Sequence, residues 1–137
     1  MSEQENVGVV KHMFELVEQG NLPAALNMLA EDVYWQSPVT RTGSKYLTWY
    51  KPRNSRKEVG DFFIELSNKM EIERFQVSDV IAQGNKVVVE GKNKGTVKST
   101  GRSYEHDWIM IFELQDGKII RNQHYYDTMD LVQHFID

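Results

Sequence analysis

Three titratable side chains, Glu90, His106 and His124, are the residues best suited to acid–base chemistry in this sequence. They fall in three successive segments with the character of β-strands, so a meander would make them cross-strand neighbours. A carboxylate beside an imidazole orients the ring and raises its basicity, which suits a general base working near neutral pH. A glutamate desolvated among apolar side chains would instead have a raised pKa and could act as an acid. Either arrangement suits proton abstraction next to a carbonyl, an aldol-type cyclisation or a dehydration.

Each of these residues also has a structural interpretation. His106 lies on an apolar face, where a histidine is more often a core or dimer-interface residue than a catalytic one. His124 has polar neighbours, which favours a functional role more strongly. Glu90 could simply pair with nearby lysines at the surface. Metal binding by the three is disfavoured because the chain has no cysteine and no H-E-x-x-H motif, and no glycine-rich phosphate loop indicates a cofactor.

A four-stranded meander would bring the three residues together. Its predicted strands are 72–82, 86–97, 103–114 and 118–126. Turn signals separate the segments, and Asp116-Gly117 is the strongest of them. A last short helix, capped by Asp127 or Thr128, is predicted to follow.

The first half of the chain predicts helices that cover one face of this sheet. Apolar residues recur at helical spacing in three stretches, 7–17, 22–29 and 59–66. A short strand, Val33–Ser37, precedes Pro38, and the irregular segment 39–54 is long enough for a lid or binding loop. Helices early and strands late predict an α+β fold. The length of 137 residues predicts a single domain over 1–137.

Alternation along the strands indicates which side chains share a face. In 103–114 the even positions form a nearly unbroken apolar and aromatic face with one histidine: Tyr104, His106, Trp108, Met110, Phe112 and Leu114. In the last strand the even positions include Asn122, His124 and Tyr126. In 86–97 valines occupy both parities, so alternation alone leaves the orientation of Glu90 open.

Composition narrows the possible partners and the cellular location. The formal net charge is −4, which gives no electrostatic reason to bind nucleic acid. The N-terminus lacks the apolar core of a signal peptide, and no apolar run approaches the length of a membrane span, about 20 residues. We therefore expect a cytoplasmic protein that binds neither nucleic acid nor membranes.

The order of these elements resembles the nuclear-transport-factor-two-like fold, and within it the SnoaL-like domains related to ketosteroid isomerase. The segments that carry the resemblance are Gly20-Asn21-Leu22, 29–33, 91–101, Gly117-Lys118-Ile119 and 125–128. The resemblance implies a cone-shaped, curved antiparallel sheet packed against three N-terminal helices, enclosing an apolar pocket, commonly in a homodimer. It specifies the fold better than the reaction, because many chemistries share this scaffold.

The catalytic groups of ketosteroid isomerases have no counterpart here. Their aspartate base stands just before a proline on the first strand, where this chain has Ser37. The tyrosine and protonated aspartic acid of their oxyanion hole match Met13 and Trp108. Steroid isomerisation by that mechanism is therefore not expected.

The leading hypothesis is a cofactor-independent acid–base enzyme acting on a small apolar carbonyl compound. Its candidate catalytic residues are His124, Glu90 and His106, and no metal is predicted. The resemblance implies that the candidate ligand-binding residues face the pocket: Trp35, Ser37, Phe63, Trp108, Met110, Asn122 and Tyr126. It places His124 and Glu90 there as well, and the alternation agrees with it for the last two strands. The alternatives are a non-catalytic small-molecule binder and a protein-interaction module that uses the sheet face.

Overall fold

The structure, a computed structural model, describes residues 1–136. Its elements in chain order are α1 (Glu3–Glu18), α2 (Leu22–Leu26), β1 (Leu29–Gln36), α3 (Arg56–Lys69), β2 (Met70–Gln83), β3 (Lys86–Val97), β4 (Ser103–Gln115), β5 (Lys118–Tyr126) and α4 (Thr128–Phe135). The five strands form one curved sheet in the order β1-β5-β4-β3-β2. The predicted α+β fold, with three helices before a four-stranded meander, is confirmed.

Helix α1 lies against the sheet and has well-defined ends. The Ser2 side chain accepts a hydrogen bond from the Glu5 amide, and the Glu5 carboxylate accepts one from the Ser2 amide, which makes a capping box. Val10 and Met13 bury the apolar face of the helix. Gly20, with a φ of 75°, ends it in the left-handed conformation that glycine adopts without strain.

Helix α3 is anchored at its start. The Ser55 side chain accepts a hydrogen bond from the Glu58 amide at 3.1 Å, which makes Ser55 the N-cap of the helix. Arg56 Nε donates to the Leu29 carbonyl oxygen at 2.7 Å, which ties the helix to the first residue of β1. Val59 and Phe62 then point into the core.

Strand β1 differs from its prediction. It begins at Leu29 rather than Val33, and it pairs in parallel with β5, a partner distant in sequence. The Ile119 amide donates to the Met28 carbonyl oxygen at 3.0 Å, so β5 draws the preceding residues into the sheet. The helical apolar spacing that runs through Leu29 therefore ends early, and α2 has only five residues.

The segment 39–54 contributes two side chains to the core. Leu47 and Trp49 are buried, and the Trp49 ring lies 6.0 Å from that of Phe135 on α4. None of its residues lines the cavity described below, so the lid that its length suggests is not supported.

Helix α4 packs on β4 and is held by the turn between β3 and β4. Thr100 Oγ1 donates to the His134 carbonyl oxygen at 2.6 Å. Arg102 Nη1 donates to the carbonyl oxygens of Gln133 and Ile136 at 2.7 and 2.9 Å. These contacts satisfy carbonyl groups at the end of the helix, which have no intrahelical partner. Over residues 1–136, none of the helices is long and apolar enough to cross a membrane.

Candidate functional site

Strand register fixes which side chains face the helices. Gly91 on β3 lies opposite Trp108 on β4, which lies opposite Tyr126 on β5. Residues that are directly opposite in neighbouring strands point to the same face. The next row on the same face lies two residues away along each strand and consists of Val89, Met110 and His124. The predicted inner face of the last two strands is confirmed, and the odd positions of β3 belong to it.

Glu90 faces the other side of the sheet, so the prediction that it reaches the pocket is wrong. It lies opposite Ile109, which lies opposite Tyr125. Its side chain is exposed on the outer face, in a groove that Lys92 and Asp107 also line. The physical reason is that the buried valines of β3 have odd numbers, which turns Glu90 outward. The predicted contact between Glu90 and the two histidines is therefore absent.

An open cavity of about 1480 Å³ lies between α1, α3 and β2. Four predicted residues line it: Trp35, Phe63, Met110 and His124. Its other apolar lining includes Met13, at the position that matches the tyrosine of ketosteroid isomerases, and four residues that the sequence analysis did not single out: Phe14, Phe62, Phe75 and Val77. The cavity therefore has an apolar, largely aromatic wall and one imidazole.

The predicted ligand residue Trp108 is packed into the wall behind other rings. Its indole stacks on Phe75 with ring centroids 4.5 Å apart and an angle of 13°. Phe14 of α1 covers the same pair at 5.7 Å from Trp108. Trp108 is only 3% exposed and does not line the cavity. It lies across Gly91, where any added side chain would overlap its ring.

Asn122 and Ser37 are also buried and do not line the cavity. Asn122 is fully buried, and its Nδ2 donates to Met110 Sδ at 3.8 Å. Ser37 is 2% exposed at the end of β1. Both predicted ligand residues thus belong to the layer behind the cavity wall.

A row of four rings crosses β4 and β5, and only one of them lines the cavity. Tyr104 stacks on His106 at 5.3 Å, His106 stacks on Tyr126 at 5.1 Å, and Tyr126 lies 5.0 Å from His124. His106 is 8% exposed, and neither it nor Tyr126 lines the cavity. The row places His124 at the ligand side and the other three rings in the core.

Burial keeps both histidines neutral at physiological pH. Desolvation, together with a smaller effect of the neighbouring His106, lowers the pKa of His124 to about 3. Burial also lowers the pKa of His106, against the opposing effect of nearby carboxylates, that of Asp130 first. The same desolvation raises the pKa of Tyr104 to about 12 and raises the pKa of Tyr126 as well. His124 Nε2 is buried without a hydrogen-bond partner, although part of the ring is exposed to the cavity.

A neutral imidazole of this kind donates or accepts a hydrogen bond but is a weak base at pH 7. The carboxylate that would have raised its basicity points away from the cavity. Over residues 1–136 no group of three His, Asp or Glu side chains is placed to hold a metal ion. The site is therefore suited to binding an apolar molecule and polarising one of its oxygen atoms.

The fold agrees with the comparisons to known proteins. A family model described as "SnoaL-like domain" matches residues 10–122, and the chain belongs to that family. No curated protein matches the sequence.

Solved structures extend the likeness over nearly the whole chain. An NTF2-like protein from Burkholderia xenovorans is 29% identical, with a TM-score of 0.87 and 99% of each chain covered. TerC, co-crystallised with polyporic acid, is 19% identical over 96% of this chain and 98% of its own, with a TM-score of 0.83. A provisionally assigned polyketide cyclase from Xanthomonas campestris is 22% identical over 98% of both chains, with a TM-score of 0.76. The last two show the fold alone.

Proposed function

We propose that this protein binds a small, largely apolar carbonyl compound in the cavity and catalyses its isomerisation, cyclisation or dehydration. The observation that carries the proposal is the position of His124, the one histidine among the described cavity-lining residues, within an aromatic wall. A related fold with a provisional assignment as a polyketide cyclase supports the same class of reaction.

His124 acts in this proposal as a neutral hydrogen-bond donor. A neutral imidazole can polarise a carbonyl oxygen without carrying a charge, as in other enzymes that lower a histidine pKa. The hydrogen bond strengthens as negative charge develops on the oxygen, and the apolar wall excludes competing water. Polarisation makes the adjacent C–H bonds more acidic and the carbonyl carbon more electrophilic. This role replaces the acid–base pair with Glu90.

One observation favours a second candidate function, that of a non-catalytic binding protein. The carboxylates among the cavity-lining residues, Glu15, Glu18, Glu73 and Asp79, are all exposed. A proton-abstracting base is therefore missing from the apolar depth of the cavity. A binder needs only the wall and the single polar contact.

Deuterium exchange distinguishes the two functions without knowledge of the natural substrate. Apolar aryl ketones are incubated with the protein in D₂O, and NMR follows exchange of the protons next to the carbonyl. The enzyme proposal expects accelerated exchange that His124→Ala abolishes and His12→Ala, an exposed position on α1, preserves. Binding without exchange, seen as a rise in melting temperature, would favour the binding protein. If the ketones show no binding and no exchange, both functions are refuted.

We also propose that two copies pair through the outer face of the sheet. That face carries apolar side chains that remain partly exposed, among them Ile81, Ile109, Ile111 and Tyr125. Exposed apolar surface of this kind marks association sites. If the protein is a monomer in solution, this face is available to a different protein partner, as the interaction-module hypothesis expects.

A further inference from the structure

The charged side chains that α1 places at the mouth of the cavity are predominantly acidic. Glu15 and Glu18 lie there, and Lys11 is the one basic residue of α1 among the described lining residues. Carboxylates thus outnumber basic groups on the α1 side of the mouth.

The charged lining residues of β2 do not add to this excess. Arg74 and Asp79 lie opposite Lys94 and Glu90 on β3, so they point to the outer face. Glu73 pairs with Lys94 Nζ at 3.9 Å, which offsets its charge.

Among the described lining residues, no cationic side chain lies in the depth of the cavity. The wall there is made of apolar aromatic and aliphatic side chains together with the neutral His124. Both basic lining residues, Lys11 and Arg74, are exposed. A carboxylate or phosphate moved into this wall would lose its hydration without gaining a cationic partner, which is strongly unfavourable. The chain as a whole, with a net charge of −4, also repels anions on approach.

We propose that this cavity selects its ligand by charge: uncharged or cationic carbonyl compounds enter, whereas carboxylates and phosphate-bearing thioesters with the same apolar body are excluded. The exposed carboxylates of α1, Glu15 and Glu18, act as the selecting residues at the mouth. The inference rests on the proposed function, because it takes the cavity as the ligand site. It adds the chemical class of the ligand. The reacting compound is then a free, neutral ketone, aldehyde or ester rather than an acid or a coenzyme thioester.

The test uses three probes that share one naphthalene body: an aminonaphthyl ethyl ketone, the matching naphthoate and the matching naphthylmethylammonium ion. Calorimetry and quenching of tryptophan fluorescence give a dissociation constant for each with the full chain. We expect the naphthoate to bind at least about 100-fold more weakly than the ketone, because a buried charge without a partner costs several kcal/mol and each 1.4 kcal/mol is tenfold. The ammonium ion should stay within about tenfold of the ketone, because exposed carboxylates hold it at the mouth.

A charge-reversed pair of variants assigns the selection to the mouth. Glu15→Lys/Glu18→Lys changes the mouth, whereas Glu31→Lys/Asp32→Lys changes the net charge equally at exposed β1 positions that do not line the cavity. The first variant should raise naphthoate affinity about tenfold over the second at low salt, and the gain should shrink at high salt.

The possible results separate the two proposals. Equal affinity for ketone and naphthoate would overturn the charge selection and leave the proposed function standing. Equal effects of the two double variants would also overturn it, since the mouth would then not be the selector. If the ketone itself fails to bind, the proposed function fails first and the charge selection falls with it.

Discussion

Substituting Gly91 by alanine tests whether the aromatic wall is built as described. Gly91 lies on the inner face of β3, directly opposite Trp108. An added methyl group would overlap the Trp108 ring and the backbone carbonyl oxygen of Gln76. The indole cannot simply rotate away, because Phe75 and Phe14 pack against it. The strand backbone on the other side cannot move without disturbing the β2–β3 ladder.

The expected cost follows from two contributions. Forcing extra volume into a packed core costs about 1–3 kcal/mol. Displacing Trp108 also loses its stacking on Phe75, worth about 0.5–1.5 kcal/mol beyond the buried area. We therefore expect Gly91→Ala to lower the free energy of unfolding by about 1.5–4.5 kcal/mol. Because the domain's whole stability is on the order of 5–15 kcal/mol, this loss is readily measured.

Gly8→Ala is the matched control, because it makes the same chemical change in the middle of α1. No atom lies within 4 Å of its added methyl group, and glycine in a helix interior is unfavourable. This substitution should raise stability by about 0.5–1 kcal/mol. Urea titrations followed by far-ultraviolet circular dichroism give both values, and the near-ultraviolet signal should change only in Gly91→Ala. A Gly91→Ala protein as stable as the wild type, with an unchanged aromatic signal, would refute the described packing of Trp108.

Three further predictions follow from other parts of the structure. The folded-state pKa of His124, about 3, lies below the ordinary histidine value of 6.5, so the unfolded chain binds more protons between these values and stability should fall as pH drops through this window. His124→Asn should flatten that loss relative to the wild type in urea titrations at stepped pH, and a parallel pH profile would contradict the burial of the ring. Arg102→Ala removes two hydrogen bonds to the end of α4, so it should cost about 1–3 kcal/mol and speed amide exchange in that helix. The exposed Arg41→Ala serves as its control, and unchanged exchange in α4 would show that the contacts do not hold the helix. Light scattering should give twice the mass of one chain for the wild-type protein. The Ile109→Asp variant should have the mass of a monomer, whereas the Ile64→Asp variant, changed on α3, should remain a dimer. A wild-type monomer would contradict pairing through the outer face.

Local signals in the sequence were sufficient to predict most of the meander. The prediction of a tight turn at Asp116-Gly117 is confirmed, with φ values of 51° and 77° at the two residues. Positive φ at both central positions is what a two-residue hairpin turn requires, and the Asp-Gly pair tolerates it. The parallel pairing of β1 with β5 had no such signal, because it depends on contact between segments far apart in the chain. The cytoplasmic location and the single domain stay predictions.

The orientation of Glu90 could have been found from glycines rather than valines. Gly91 and Gly95 lie on β3 opposite Trp108 and Tyr104. A side chain at either position would overlap the aromatic ring opposite, so these glycines make room for large rings on the inner face. Their odd numbers assign the inner face of β3, and Glu90 then points outward. Consecutive valines concealed this alternation in the sequence.

The cavity wall itself could not be read from alternation, because β2 is irregular. Pairing with β3 shifts between Ile72 and Arg74 and again between Val77 and Asp79. Each irregularity re-aims the side chains that follow it, as a β-bulge does. Phe75 and Val77 reach the cavity as odd residues for this reason, beside the even Ile72. Phe75 in that position covers Trp108, so the aromatic wall closes in front of the row that contains His106. The same backbone shifts that hid the wall in the sequence thus leave His124 as the one imidazole a ligand can contact in the described residues.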